Sequence, residues 1–268
     1  MEEIGYAKIN LALHVRAREQ DGYHRIETVF AFCEDGDRLT IQEGDGLGLD
    51  VRGRFADALA AGERNLVLRA AEELGACCEA SRGAALALDK KLPVAAGLGG
   101  GSADAAATLR LLCRWWDIRP GDEALHAIAR GLGADVSACL ASRTVRGEGR
   151  GDRLRHWEGN SLAGRPVLLV NPGVPLSTAA VFAAWEGVDR GALERLDGSR
   201  NDLEPAAIAL VPEIAEVLAA LDGAALARMS GSGATCFGLY ESEQERDAAA
   251  ARIRAARSGW WTLATRLR

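Results

Sequence analysis

Four glycines stand directly before a predicted helix in the segment Pro93-Val94-Ala95-Ala96-Gly97-Leu98-Gly99-Gly100-Gly101-Ser102. Glycines leave backbone N–H groups free of Cβ obstruction, and the start of a helix carries the positive end of its dipole. Such a loop binds anions, most commonly phosphate. The Ser102 hydroxyl could cap the helix, touch a phosphate oxygen or ligate a magnesium ion. The segment therefore predicts a phosphate-binding loop rather than a flexible turn.

The spacing within this loop excludes two common nucleotide motifs. A P-loop requires a lysine after its last glycine, and Ser102 follows Gly101 instead. The dinucleotide fingerprint requires a further glycine at the position of Ser102. Its ribose-binding carboxylate would be Asp117, which follows two tryptophans at a predicted helix end rather than a strand end. A dehydrogenase is therefore disfavoured.

Two charged residues are candidates for acid–base chemistry. Asp135 precedes an apolar helical stretch, so its carboxylate suits either a helix N-cap or a catalytic base. Lys8 is one of only three lysines in the chain, in which arginine supplies every other basic side chain. An ammonium beside a carboxylate would keep that carboxylate ionised. A solvated surface role suits the other two lysines, Lys90 and Lys91, and Asp104 is expected to strengthen the start of its helix.

Several other side chains could contact a substrate. Tyr23 and His24 form an aromatic pair in a glycine turn, which offers a stacking face and hydrogen-bond partners for a nucleobase. Asn10 shares a strand face with Lys8, and it suits either a substrate contact or a polar strand end. Thr178 suits a substrate contact or a helix cap, and Phe182 suits a stacking face or a core position.

Periodicity places these residues on alternating strands and helices. Strands are predicted near residues 9–13, 26–32, 38–42, 84–89, 166–170, 235–240 and 260–267. Helices are predicted at 66–74, 102–116, 122–132, 135–141, 178–185, 212–221 and 243–256, with Asn65 capping the first and Gly75 ending it. The pattern restarts after a Gly/Arg-rich stretch at 146–155. The sequence therefore predicts an α+β protein with domains at 1–150 and 151–268.

Composition sets the broad class of the protein. The 268 residues carry 32 basic and 38 acidic side chains, a net charge of −6 that argues against nucleic-acid binding. No apolar run approaches the roughly 20 residues of a membrane span. The six cysteines form no Cys-x-x-Cys pair, so a structural zinc site is not expected. We expect a cytoplasmic protein with a small-molecule substrate, and the sequence leaves its oligomeric state open.

The motifs together resemble the GHMP kinase superfamily. The blocks that carry this resemblance run along nearly the whole chain: Ala7-Lys8-Ile9-Asn10, Asp21-Gly22-Tyr23-His24, Asn65-Leu66-Val67, the glycine loop, Gly133-Ala134-Asp135-Val136, Asn171-Pro172-Gly173, Asn201-Asp202-Leu203-Glu204 and Ser230-Gly231-Ser232-Gly233. The resemblance implies an α+β, two-domain GHMP kinase fold, with an N-terminal ribosomal-S5-like domain and a C-terminal ferredoxin-like domain.

The resemblance also implies roles for individual residues. ATP, with Mg²⁺, would be held by the loop residues Pro93, Ala95, Gly97, Leu98, Gly99, Gly100, Gly101 and Ser102. Asp135 would be the catalytic base and Lys8 its cationic partner, while the ligands of the metal stay unknown. The blocks around Lys8 and His24 narrow the likeness to the branch that phosphorylates a cytidine-diphosphate-linked methylerythritol. Substrate contacts would then come from Asn10, Tyr23, His24, Thr178 and Phe182.

Two alternatives stay open at this point. A GHMP kinase of the homoserine or mevalonate type would share the loop and the base, but its substrates have no nucleobase to stack on Tyr23 and His24. A nucleotide-binding protein of the same fold without turnover would leave Lys8 or Asp135 idle. The chain also departs from the family pattern after Val136, where Ser137 begins a small-residue run. That change affects packing behind Asp135 and removes no catalytic group.

Overall fold

Two long paired strands, β1 (Glu2–Arg18) and β2 (His24–Gln42), begin the chain in this computed structural model, which describes residues 1–59, 65–80, 82–159 and 162–268. The strand predicted near residues 9–13 is the centre of β1. The two strands predicted at 26–32 and 38–42 form one continuous β2. The polar residues between them stay extended because strand pairing satisfies backbone groups that a turn would otherwise have to satisfy.

The chain forms two compact units, and both are discontinuous in sequence. Unit 1 contains residues 1–7, 35–94 and 99–142, whereas unit 2 contains residues 8–34, 95–98 and 143–268. The strands β1 and β2 and the glycine loop each contribute residues to both units. The sequence-based division into domains at 1–150 and 151–268 stays a prediction.

Unit 1 combines a sheet with a group of helices. Residues Arg38–Gln42 of β2 pair antiparallel with β4 (Ala84–Asp89), and β3 (Leu47–Arg52) pairs parallel with β4. The helices are α1 (Leu66–Cys78), α2 (Gly100–Trp115), α3 (Asp122–Leu132) and α4 (Val136–Ala141). Helix α2 packs against α1 and α4. Its alanines at 103 and 105–107 are buried, and these small side chains permit close helix packing.

The ends of α1 show one prediction that is confirmed and one that is wrong. The Asn65 side chain accepts a hydrogen bond from the backbone N of Val67 at 2.9 Å, as expected of an N-cap. The helix does not end at Gly75 but continues to Cys78. Glu79 adopts the left-handed conformation that closes the helix, and the backbone N of Ala80 bonds to the Gly75 carbonyl. The C-terminal motif therefore lies four residues beyond the glycine.

The C-terminal part of unit 2 begins with a hairpin at the site of the predicted boundary. β5 (Val145–Gly149) pairs antiparallel with residues Ile26–Phe30 of β2, and β6 (Arg153–His156) pairs antiparallel with β5. The Gly/Arg-rich composition of this stretch predicts a boundary between domains. The structure shows a strand pair instead, because pairing with β2 overrides the weak strand propensity of glycine.

The rest of unit 2 is a four-stranded antiparallel sheet with helices. Its strand order is β10-β7-β9-β8, so the chain order β7, helices, β8, β9, helix and β10 gives the expected ferredoxin-like pattern. The strands are β7 (Pro166–Asn171), β8 (Leu226–Met229), β9 (Cys236–Leu239) and β10 (Trp261–Arg266), and the helices are α5 (Thr178–Ala183), α6 (Glu204–Leu210), α7 (Glu213–Ala220) and α8 (Glu243–Ala256). The short strand β8 and helix α6 escaped prediction.

Candidate active site

The first half of the glycine loop is held tightly within unit 2. Gly97 has a φ of +76°, and a Cβ built on it would lie 2.3 Å from the carbonyl oxygen of Ser230. The backbone N of Thr235 donates to the Ala96 carbonyl at 3.2 Å, and the backbone N of Lys8 donates to the Leu98 carbonyl at 3.0 Å. The loop conformation is therefore set by contacts between backbone atoms. A Cβ at Gly97 would clash with such atoms, and no side-chain rotation could relieve that clash.

The turn Ser230-Gly231-Ser232-Gly233, between β8 and β9, supports this part of the loop. The Ser230 hydroxyl donates to the Gly97 carbonyl at 2.8 Å and accepts from the backbone N of Asn10 at 3.2 Å. The Asn201 amide holds the turn by donating to the carbonyls of Met229 and Gly231, each at 2.8 Å. Four of the sequence blocks are therefore joined by direct hydrogen bonds.

Lys8 lies on β1 next to these groups and is only 3% exposed. Its ammonium donates to the Asn10 side-chain oxygen at 2.9 Å and stands 5.4 Å from the centre of the Phe30 ring. The Asn10 amide in turn donates to the Thr28 hydroxyl at 2.8 Å, which donates to the Ala12 carbonyl. Lys8 is therefore buried rather than solvated, as expected, and Asn10 orients its ammonium. A catalytic role for Lys8 stays a prediction.

The second half of the loop begins α2 in unit 1. The helix starts at Gly100, two residues before the predicted Ser102, and Gly99 occupies the N-cap position without a side chain to cap it. The first backbone N–H groups of a helix have no partner within the helix. Gly100, Gly101 and the half-buried Ser102 form the first turn of α2, and their binding of a phosphate stays a prediction.

Asp135 occupies the N-cap position of α4, and its side chain makes no capping hydrogen bond. The carboxylate is half-buried. The far end of the same short helix is fixed by Arg110 of α2, which donates to the Cys139 carbonyl at 2.9 Å and to the Ser142 hydroxyl at 3.2 Å. The Asp135 side chain therefore does not act as the N-cap of α4. Lys8 belongs to unit 2 and Asp135 to unit 1, and their pairing stays a prediction.

An aromatic cluster forms around His24 in unit 2. The His24 and Phe182 ring centres lie 4.8 Å apart with a 36° tilt, and the Trp185 ring stands edge-on to His24 at 5.6 Å. Desolvation lowers the pKa of His24, and the positive charge of Arg18 lowers it further. The neutral imidazole therefore presents one donor and one acceptor. Phe182 also packs against the core of unit 2, so both readings of its role fit the structure.

Tyr23 lies beside His24 in sequence but has a different neighbour. The Arg150 guanidinium stands 3.8 Å from the centre of the Tyr23 ring and pairs with Asp21. Tyr23 itself is 57% exposed. Arginine thus occupies one face of the ring that was predicted to stack on a base, and the stacking role of Tyr23 stays a prediction.

Thr178 is exposed at the first position of α5, where its hydroxyl lies 2.8 Å from that of Ser232. The helix cap is Ser177, whose side chain accepts from the backbone N of Ala180. Capping therefore does not explain Thr178, and its hydroxyl instead meets the serine-glycine turn.

The solvated role expected for Lys90 is wrong. Its side chain is 1% exposed, and its ammonium contacts the carboxylates of Asp37 and Asp104. Asp104 is buried against the same ammonium, and its predicted role in strengthening the start of α2 stays a prediction. Lys91, by contrast, is exposed as predicted. Adjacent lysines at a strand end point in opposite directions, and one of them therefore faces the interior.

Comparison with known proteins connects this arrangement to a family. A model described as "GHMP kinases N terminal domain" matches residues 65–143, and one described as "GHMP kinases C terminal" matches residues 186–258. A relative from Rhizorhabdus wittichii named 4-diphosphocytidyl-2-C-methyl-D-erythritol kinase is 55% identical over 99% of this chain and 94% of that protein. This chain belongs to the GHMP kinase family.

Further comparisons bear on the fold of this GHMP kinase. A relative of the same printed name from Sphingopyxis alaskensis is 50% identical over 100% of this chain and 99% of its own length. A crystal structure of 4-(cytidine 5'-diphospho)-2C-methyl-D-erythritol kinase, 35% identical, matches 100% of this chain and 99% of that chain with a TM-score of 0.83. A homoserine kinase from Cytophaga hutchinsonii, 19% identical with a TM-score of 0.70 over 96% and 94% of the two chains, shares the fold.

Family membership implies ATP as the phosphoryl donor of this GHMP kinase. Within the described ranges, no group of three or more His, Cys, Asp or Glu side chains is arranged to hold a metal ion. Magnesium in kinases is commonly carried by substrate phosphates and one or two protein ligands, so such a group is not required. Among the same residues, no helix has the length and apolar character to cross a membrane.

Sequence reasoning missed four residues that shape this site. Thr28 and Arg110 hold Asn10 and α4, Lys90 lies beneath the start of α2, and Trp185 packs on His24. Of these four, Trp185 left a usable signal, because it follows Phe182 at the i, i+3 spacing that places two side chains on one face of the predicted helix 178–185. In the structure α5 ends at Ala183, and Trp185 lies just beyond it. The other three act through contacts between segments distant in sequence.

Proposed function

We propose that this GHMP kinase transfers the γ-phosphoryl group of ATP to a hydroxyl of 4-diphosphocytidyl-2-C-methyl-D-erythritol, a step of the non-mevalonate isoprenoid precursor pathway. The observation that carries the proposal is the 55% identity, over 99% of the chain, to a relative that bears the name of this activity. The cluster around His24 supports a substrate with a nucleobase, which a homoserine or mevalonate kinase would not need.

In the proposed mechanism, the Lys8 ammonium keeps the Asp135 carboxylate ionised before the reaction. Asp135 then accepts the proton of the attacking hydroxyl, and Lys8 stabilises the negative charge that develops on the attacking oxygen. The buried Lys8 ammonium keeps one direction because Asn10 accepts one of its hydrogen bonds. Asn10, which is held by its hydrogen bonds to Lys8 and Thr28, is also proposed to contact the substrate.

The glycine loop is proposed to hold the triphosphate. Gly97 and Leu98 fix the course of the backbone that leads into α2. The N–H groups of Gly99, Gly100, Gly101 and Ser102 then donate to phosphate oxygens. Pro93 and Ala95 border the nucleotide. A magnesium ion carried by the phosphates would neutralise their charge, and the Ser102 hydroxyl is the side chain that could hold it.

Base recognition is proposed to rest on His24, Tyr23 and Phe182. His24 and Phe182 present adjacent ring surfaces for a cytosine, and the neutral imidazole supplies an edge for hydrogen bonds. The exposed Thr178 hydroxyl is proposed to contact the diphosphate or the polyol. Because the phosphoryl donor is ATP, we also propose a cytoplasmic location.

The decisive assay measures ADP release with the cytidyl substrate, homoserine and mevalonate in parallel. Wild-type protein is expected to turn over only the first. Asp135→Asn is expected to lose about 10²–10⁴-fold in kcat, the usual contribution of a general base. Asp45→Asn, which makes the same change at an exposed position before β3, is the matched control and is expected to keep full activity.

Each alternative has its own outcome in this assay. Turnover with homoserine or mevalonate alone would refute the substrate assignment. Full activity of Asp135→Asn would refute the choice of base. Nucleotide binding without turnover of any of the three acceptors would favour a binding protein that has kept the fold.

A further inference from the structure

Helix α4, which follows Asp135 directly, offers little side-chain area with which to fix its own position. The helix has only six residues, and Ser137, Ala138 and Cys139 on its buried side are small. The free energy gained by packing scales with the apolar area that is buried, and small side chains bury little of it. The position of α4, and of the carboxylate at its start, therefore depends on further contacts.

The guanidinium of Arg110, in α2, links the end of α4 to the first residues of β1. One terminal nitrogen donates to the Cys139 carbonyl at 2.9 Å and to the Ser142 hydroxyl at 3.2 Å. The other terminal nitrogen donates to the Ile4 carbonyl at 2.9 Å, and Nε donates to the Glu3 carboxylate at 3.3 Å. All three nitrogens of the guanidinium are thus engaged, and they hold two different elements in a fixed relation.

The β1 end of this link is packed directly on α2. A Cβ at Gly5 would lie 3.2 Å from the backbone carbonyl carbon of Ala103, so the strand and the helix are in close contact there. Arg114, one turn further along α2, also bonds to Glu3, at 2.6 Å. The paired β1 and α2 therefore form a firm support for the Arg110 guanidinium, and α4 is the element that this guanidinium holds against them.

The Arg110 contact lies one helical turn from Asp135. The backbone N of Cys139 donates to the Asp135 carbonyl at 2.9 Å, and the carbonyl of the same Cys139 accepts from Arg110. A helix rises about 1.5 Å per residue, so the two residues are separated by about 6 Å along the axis. A movement of the Cys139 carbonyl therefore moves Asp135 as well.

We propose that Arg110 is a positioning residue for Asp135 and that it sets the rate of phosphoryl transfer through the placement of α4. This inference rests on the proposed role of Asp135 as the general base. Such a base must lie within hydrogen-bond reach of the proton that it accepts. A misplacement of about 1 Å by a change far from the chemistry costs about 10²-fold in rate. Arg110 acts through α4 and is assigned no contact with the reacting atoms.

The first test measures kcat and the KM for each substrate in Arg110→Met, which keeps an unbranched stem and removes the guanidinium. We expect kcat to fall about 10- to 10²-fold with both KM values near those of wild type, because the base acts in the chemical step. Arg114→Met is the matched control. The Arg114 guanidinium bonds to the Glu3 carboxylate and the Glu2 carbonyl, both in β1, so its removal leaves the contacts of α4 in place. The control is expected to keep the kcat of wild type.

The second test repeats Arg110→Met in the Asp135→Asn protein, with enough enzyme to measure its residual turnover. The double variant is expected to have the kcat of Asp135→Asn alone, because residues that act as a unit have non-additive effects. A general loosening of the structure would instead lower kcat by the same factor in both backgrounds. Thermal unfolding shows which variants fold. If Arg110→Met does not, Arg110→Lys takes its place in both tests, since it keeps a charge beside Glu3 and lacks the fork that holds two elements at once.

The outcomes separate this inference from the proposed function. A wild-type kcat in the folded Arg110 variant, together with a loss in Asp135→Asn, would overturn the inference and leave the proposed function intact. An equal fractional loss in both backgrounds, or a matching loss in Arg114→Met, would also overturn it. Full activity of Asp135→Asn would instead overturn the proposed base.

Discussion

A methyl group added at Gly97 is expected to damage both the stability of this kinase and its use of ATP. The left-handed backbone at Gly97, with a φ of +76°, costs an alanine about 1–2 kcal/mol. The added Cβ would also meet the Ser230 carbonyl oxygen at 2.3 Å and the Gly233 carbonyl oxygen at 2.9 Å. These are backbone atoms, so the overpacking cannot be relieved by a rotamer change and costs about 1–3 kcal/mol more.

The two costs together give an expected loss of roughly 2–5 kcal/mol in the free energy of unfolding. In a protein of this size that corresponds to a fall of roughly 4–20 °C in Tm. If the loop moves instead, it must retreat by about 1 Å to reach an ordinary contact distance. A displacement of that size in a positioning element costs about 10²-fold in kcat/KM for ATP. Either response is measurable, and a mixture of the two is expected.

The assay combines thermal unfolding with steady-state kinetics at varied ATP. Gly131→Ala is the matched control, because Gly131 lies inside α3 and a Cβ there meets nothing within 4 Å. The control is expected to gain up to about 1 kcal/mol from helix propensity and to keep its kcat/KM. A Gly97→Ala protein with the Tm and the kcat/KM of wild type would refute the view that backbone contacts set the loop.

The remaining predictions concern the groups around this loop. Lys8→Arg is expected to lower kcat by about 10²-fold at unchanged Tm, because a forked guanidinium replaces a compact ammonium; near-wild-type kcat would return Lys8 to a structural role. Ser230→Ala removes the hydroxyl shared by Asn10 and Gly97 and is expected to raise KM for ATP and cost about 1–2 kcal/mol of stability, and an unchanged KM and Tm would contradict this. Desolvation and the charge of Arg18 lower the pKa of His24, so its ring takes up a proton at a lower pH than an ordinary histidine does. KM for the cytidyl substrate is therefore expected to rise as pH falls below the ordinary histidine pKa in wild type and to lack this rise in His24→Gln. A rise that begins above the ordinary range would exclude His24 as its source.

Much of the fold could be predicted because local signals agreed with the tertiary structure. The helix at Asp122–Leu132 and the strand at Ala84–Asp89 have the predicted bounds, since strong periodicity and clear end signals mark both. The hairpin β5–β6 could not be predicted in this way. Its glycines and arginines indicate only a boundary between domains, and the stretch becomes a strand pair because β2 offers backbone partners.

The candidate site shows the same division at the level of single residues. Lys8 lies within β1, and Lys90 directly follows β4. The motif Ala7-Lys8-Ile9-Asn10 favoured a function for Lys8, and no motif did so for Lys90. Burial of Lys90 depends on Asp37, which lies more than 50 residues earlier, and on Asp104 in the next helix. No local pattern reports such a contact.

The sequence by itself determined the family, the glycine loop and the types of residue that could do the chemistry, because those features are encoded by residues adjacent in the chain. The tertiary structure alone decided how they are held. Ser230 bonds to Gly97 and Asn10 across separations of more than 130 residues, and Lys90 joins two carboxylates beneath α2. The physical reason is that burial and hydrogen bonding depend on which segments meet in space, and only the folded chain brings these segments together.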